Sequence, residues 1–260
     1  MARKLKILIL SDLKSNTPII LSNAIALSKM VNGDLEFLHV KKPTELVRTA
    51  SQLSAVREIN EYTKVTKKKI KELLDPISEK HNTKVNYKYS FGNVKDEIEK
   101  YIKKNEPDII VLGKRQSNTL SFIGDNIIDF VLKSHKGAVL VASHNSSLTP
   151  EQDLSVGVFN EDESNLKDSL IEVLVEYSIL PLKSFKIGVN SDNQNTKDQF
   201  LSKKSIEYVF EDTSDVISNI SSYIPKSKVN LLCVNRNRQF NKSKNIKEII
   251  KKVNVSILVT

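Results

Sequence analysis

The sequence predicts an α/β protein made of two doubly wound, parallel-sheet domains in tandem. Three observations carry this. A length of 260 residues is large for one hydrophobic core and comfortable for two. Short continuous apolar runs alternate with amphipathic helical patterns through the first half. The second half then repeats that order in weaker form.

In the first half KILIL (6–10) reads as a strand, because uninterrupted apolar residues suit a strand buried on both faces. A helix is expected from about Pro18 to Met30, with Pro18 in its tolerant first turn and Gly33 as its C-cap. The strand DLEFLHV (34–40) follows. A long helical stretch then ends near Lys80, with Ile70, Leu73, Leu74 and Ile77 at the spacing of one buried face. Its other face holds Lys64, Lys67, Lys68, Lys69 and Lys71, which as a helix surface is first of all a solvated one. VNYKYSF (85–91) is a third strand, and Asn93 caps a helix whose first turn carries Asp96 and Glu97, complementing the helix dipole. DIIVLG (108–113), the helix IIDFVLKS and AVLVAS (138–143) complete a β-α-β-α-β-α-β-α-β unit, which right-handed crossovers turn into a Rossmann-like sheet.

The second half gives LSVGVFN, a helix from about 165 to 176, FKIGVN, IEYVFED, DVISNISSYI, KVNLLCV, IKEIIKKV and SILVT. Three landmarks align in pairs: Phe91 with Phe210, Arg115 with Arg236, and Leu140 with Leu258. The offset falls from about 148 residues at the first strands to 118 at the last, so the second copy lacks roughly 30 residues, most of the lysine-rich helix. The polar stretch SHNSSLTPEQD, with Pro150, divides a domain at 1–146 from one at 152–260.

Charge separates the halves. Residues 1–150 carry 25 Lys+Arg against 16 Asp+Glu, whereas 151–260 carry 15 against 15. The basic half draws anions, but it lacks interleaved aromatics and any base-reading module, so specific nucleic-acid recognition is not expected. No apolar run approaches the roughly 18 residues of a membrane span, the N-terminal apolar run is too short for a signal peptide, and a single cysteine, Cys233, fits a reducing compartment. The expected location is cytoplasmic. Enzyme signatures are absent: there is no G-x-S-x-G, P-loop, G-x-G-x-x-G or H-E-x-x-H, and His39, His81, His135 and His144 are scattered without metal-ligand spacing. A non-enzymatic protein without a metal site is the expectation.

The first strand ending in an aspartate (KILILSD, Asp12), the second ending LHV (His39, Val40), the segment GNVKDEIEKYIKKNEPDIIVLG and a glycine-anchored loop before a VLV strand together resemble the universal stress protein family, over essentially the whole chain. The resemblance implies strand order 3-2-1-4-5 in each domain, so that Asp12 and Gly113 stand at the switch point where such sheets bind ligands. It implies an adenine nucleotide such as ATP in the first domain, with Asp12, the Val40 backbone, Gly113, Lys114, Arg115, Gly124 and Asp125 around it. Nucleotide-binding members carry Gly, two residues, Gly, nine residues, Gly, then Ser or Thr. Here the second glycine is Gln116, the spacer is two residues short and Asp125 replaces the hydroxyl, leaving a weakened phosphate site that Lys114 and Arg115 compensate by charge. The second domain's loop, VNRNRQFNKSKN, has no glycine, and its first strand ends in Asn160 where the first ends in Asp12, so no nucleotide is expected there. The resemblance also implies that the halves pair through their last strands as an intramolecular pseudo-dimer; homo-oligomerisation and protein partners stay open. The function expected is regulatory, with weak nucleotide binding. A nucleotide-free interaction scaffold and a nonspecific nucleic-acid-associated protein are the alternatives.

Overall fold

The computed structural model describes residues 3–42, 52–114, 125–144, 148–161, 166, 169–188, 204–236 and 246–260. The first half runs β1 (Leu5–Leu10), α1 (Thr17–Val31), β2 (Gly33–Lys41), α2 (Gln52–His81), β3 (Val85–Phe91), α3 (Val94–Asn105), β4 (Ile109–Gly113), α4 (Asp125–Ser134) and β5 (Ala138–Ala142). The second runs β6 (Val156–Phe159), α5 (Leu170–Tyr177), β7 (Leu182–Ile187), β8 (Ser205–Phe210), α6 (Val216–Tyr223), β9 (Leu231–Val234), α7 (Ile246–Lys252) and β10 (Ser256–Val259).

All the described strands join one ten-stranded sheet in the order β3-β2-β1-β4-β5-β10-β9-β6-β7-β8. Each half therefore has the 3-2-1-4-5 order of a doubly wound unit, and every pairing within a half is parallel. The halves meet through their last strands: β5 and β10 run antiparallel, with Leu258 opposite Leu140. Core residues of α1, α2 and α5 share one face of the sheet, and those of α3, α4, α6 and α7 share the other. This two-sided cover explains why β1, β4, β9 and β10 read as continuous apolar runs rather than alternating ones.

A buried polar cluster closes the seam between the halves. Asn23, fully buried on α1, donates to the Ile19 carbonyl, while its Oδ1 accepts from the Leu148 N–H at 3.2 Å and the Ser256 hydroxyl at 2.8 Å. Ser256 Oγ in turn accepts from the Ser143 N–H, and Ser143 Oγ donates to the Asn254 carbonyl. One amide thus ties a helix, the connecting segment and the last strand together.

Sheet register corrects several sequence expectations. Ile109 pairs with Ile7 and Ala138 as Leu231 pairs with Val156 and Ser256. Counting on from there, Lys114 is the counterpart of Arg236, Gly113 of Asn235, Ser11 of Asn160 and Asp12 of Glu161. Arg115 was thus one residue out as the partner of Arg236, and the acid after the first strand is retained in the second half. In the same way Leu35 pairs with Val85 as Leu182 pairs with Ser205, making Ser90, not Phe91, the counterpart of Phe210. The match of Leu140 with Leu258 holds. Gly33 is not the cap of α1: Asn32 takes the left-handed conformation there (φ 51°, ψ 53°) and donates to the Ser28 carbonyl. Gly33 opens β2, where a Cβ would lie 2.5 Å from Ile7 Cδ1. Helix α5 starts at Leu170, because Ser169 caps it by accepting from the Glu172 N–H. The expected shortfall of the second half falls largely on 189–203, outside the described residues.

Candidate functional site

The carboxyl ends of β2, β1 and β4 lie side by side where the strand order reverses, and they bring Val40, Asp12 and Gly113 to one rim of the sheet. Past β1 the chain makes a tight turn with Leu13 at φ 58°. A hydrogen-bond relay holds it: the Leu13 N–H donates to Ser11 Oγ, Ser11 Oγ–H to Thr17 Oγ1, and Thr17 Oγ1–H to the Lys14 carbonyl. Asp12 Oδ1 accepts from the Lys14 N–H at 3.2 Å, and its Oδ2 lies 3.7 Å from the Lys14 ammonium. Val40 packs its side chain against the core on the α3 side, opposite Ser90 of β3.

His39 is a packed residue. It is 5% exposed, stacks on Tyr89 and donates from Nδ1 to the Ser11 carbonyl at 2.9 Å. Burial pushes its pKa below the ordinary histidine value, with the Ser11 carbonyl opposing. Cys233 is wholly buried, and burial alone raises its thiol to about 12, far from reactive.

Gly113 has a local reason to be glycine: a Cβ there would stand 2.8 Å from both Asn16 Nδ2 and Ile20 Cδ1, so α1 could not pack as closely on β4. Asn16, the N-cap position of α1, makes no capping bond with its side chain. Its Oδ1 is buried without a hydrogen-bond partner among the described residues. Sequence reasoning missed this residue, since an asparagine before a helix reads as a cap.

Lys114 turns away from the rim. Its ammonium donates to the carbonyls of Lys251 (2.7 Å) and Val253 (3.2 Å) at the end of α7 in the other half. Arg236 does the reciprocal: its guanidinium donates to the carbonyls of Leu132 (3.3 Å), His135 and Gly137 (2.8 Å) at the end of α4. Each half thus supplies, just past its fourth strand, a cation for the negative end of the other half's last helix. The signal lay in the sequence as a basic residue following each of those strands. Asp125 is the first residue of α4, whereas Arg115 and Gly124 lie outside the described residues, as does Gln116. No described helix is long and apolar enough to cross a membrane.

Comparison with known proteins agrees with this fold. The universal stress protein family model matches residues 5–143, more than half of the chain. A universal stress protein from Archaeoglobus fulgidus superposes with a TM-score of 0.68 at 16% identity, covering 98% of this chain and 95% of that one. A putative universal stress protein from Pseudomonas aeruginosa gives 0.61 at 12% identity, covering 98% and 92%. No curated protein sequence matches the chain. At such identities the structural likeness speaks for the fold, while the family rests on the sequence match. From the family match over residues 5–143, with a doubly wound strand order and whole-length superpositions that agree in fold, the chain belongs to the universal stress protein family.

Proposed function

We propose that this chain is a regulatory stress protein that holds one adenine nucleotide, with modest affinity, at the switch point of its first half. The observation carrying this is Asn16: a buried acceptor with no hydrogen-bond partner among the described residues, beside the closely approached Gly113 backbone. A buried, unsatisfied acceptor is costly, and a ribose hydroxyl is a donor that would satisfy it. Asp12 and the Val40 backbone stand on the same rim, and by family resemblance they would face the nucleoside, with Gly113, Lys114, Arg115, Gly124 and Asp125 toward the phosphates. Gln116 and Asp125 would weaken the phosphate end. In this reading residues 1–146 form the binding domain and 152–260 a built-in partner, seated through β10 where a second chain would otherwise pair.

The test is thermal unfolding with ATP, ADP and AMP, with and without magnesium. A ligand at ten times its dissociation constant adds about 1.4 kcal/mol. Asn16→Ala should abolish that gain while leaving the ligand-free protein folded, since its side chain makes no cap bond. If millimolar nucleotide shifts neither protein and none is retained on purification, the reading fails.

A second reading, a nucleotide-free interaction scaffold, draws on Asp12 and Lys114. Both are already engaged within the fold, in a turn and across the seam respectively. Under it, removing Asp12 changes stability but no ligand response.

A further inference from the structure

We propose that Lys114 is a latch coupling ligand occupancy in the first half to the anchoring of α7 in the second. The inference rests on the nucleotide reading above and assigns its regulation. Lys114 directly follows Gly113, so its backbone belongs to the rim of the candidate site, and its N–H is fixed on the Ala142 carbonyl. Its ammonium, however, is spent on the Lys251 and Val253 carbonyls, across the seam.

Those two acceptors are neutral carbonyls at a helix end. A phosphate carries full negative charge, and charge-assisted hydrogen bonds are about twice as strong as those between neutral groups. The last turn of α7 also carries Lys251, whose like charge weakens the hold of another ammonium there, while Lys252 is paired with Glu248 at 2.8 Å. A phosphate arriving at the end of β4 therefore competes on favourable terms for Lys114, and the end of α7 loses its cation when the ammonium leaves, keeping the Ser221 hydroxyl on the Lys252 carbonyl.

The reciprocal contact shows why the latch acts in one direction. Arg236 presents a planar fork to three carbonyls, whereas Lys114 is a point charge on a flexible stem whose described contacts across the seam are two carbonyls. The guanidinium is a fixture, and the ammonium can leave. Ligand binding in the first half thus frees the end of α7, beside the strand that joins the halves, while α4 stays clamped by Arg236.

The experiment is backbone hydrogen exchange of the full chain with and without 5 mM ADP, alongside equilibrium dialysis to measure ADP bound. ADP should speed exchange in the last turn of α7 by about fivefold, the scale set by losing a cation at a helix C-terminus. Lys114→Met should show that faster exchange without ADP and no further response to it, and Lys114→Arg should restore slow exchange in its absence. Bound ADP with unchanged or slower α7 exchange overturns the latch and leaves the nucleotide reading standing. No bound ADP overturns both.

Discussion

The carboxyl ends of β4 and β9 occupy counterpart places, yet one reads Gly113-Lys114 and the other Asn235-Arg236. Both cations cross the seam to cap the opposite half's last helix. The amino ends compare in the same way: Asp108 accepts from the Lys6 N–H at 2.7 Å, and its counterpart Asn230 accepts from the Ser155 N–H at 2.9 Å. In each half a short acidic or amide side chain before the fourth strand brackets the start of the first. What the duplication keeps is the task, a donor or an acceptor at a fixed place in the backbone, and side chains of different charge perform it. Where the task is absent the chemistry diverges: Glu36 bonds the Tyr101 hydroxyl and lies 3.2 Å from Lys88, whereas its counterpart Lys183 is buried and donates to Ser155 Oγ at 2.8 Å.

Four measurements would break or sharpen that comparison. The largest effect is expected at the seam itself. Asn23→Leu removes an amide that serves three partners and strands the Leu148 N–H, so chemical denaturation should show a loss of about 3 kcal/mol. A loss below about 1 kcal/mol would mean that the apolar β5–β10 contact alone holds the halves.

Next come the two caps. Arg236→Met leaves three carbonyls without their cation and should cost about 2 kcal/mol, against about 1 for Lys114→Met, which releases two described carbonyls across the seam. Equal costs would contradict the ranking of fixture over latch. Gly113→Ala should cost about 1–2 kcal/mol through the clash with Asn16 and Ile20, whereas Asn235→Ala introduces no new Cβ and should cost less. Equal losses would show that α1 yields to the added carbon.

The smallest effect is a pH dependence confined to the first half. His39 is buried with a depressed pKa, so its folded form binds a proton less readily than the unfolded chain, whose value is 6.5. Its favourable contribution is present above pH 6.5 and is lost as pH falls toward and through the depressed folded value. His135 acts in the same direction, through burial first and the nearby Arg236 charge after it. His39→Asn keeps a donor for the Ser11 carbonyl and should flatten the acid slope of stability, by up to about 1.4 kcal/mol per pH unit. The counterpart of His39 is Lys186, which pairs with Glu207 at 2.7 Å, so Lys186→Met should leave that slope intact. An unchanged slope in His39→Asn would move the acid sensitivity elsewhere.

The sequence by itself determined the elements and their order. Apolar runs buried on both faces can only be interior strands, amphipathic stretches between them can only be covering helices, and the repeated order implies two units of one kind. Val85–Phe91 and the Asn93 cap are legible to the residue, because a β-rich run and an asparagine accepting from the Lys95 N–H are local matters. Only the tertiary structure decided the register between the copies. A single-residue slip of one strand against another leaves local patterns nearly unchanged but sends every side chain to the opposite face. Hence Phe91 looked like the match for Phe210, and Asn160 looked like the replacement for Asp12. Lys114 shows the same limit in the candidate site. As a residue after a glycine it suggested a phosphate ligand, but its ammonium meets carbonyls 137 and 139 residues away, and a contact at that separation exists only once β5 and β10 have closed the sheet.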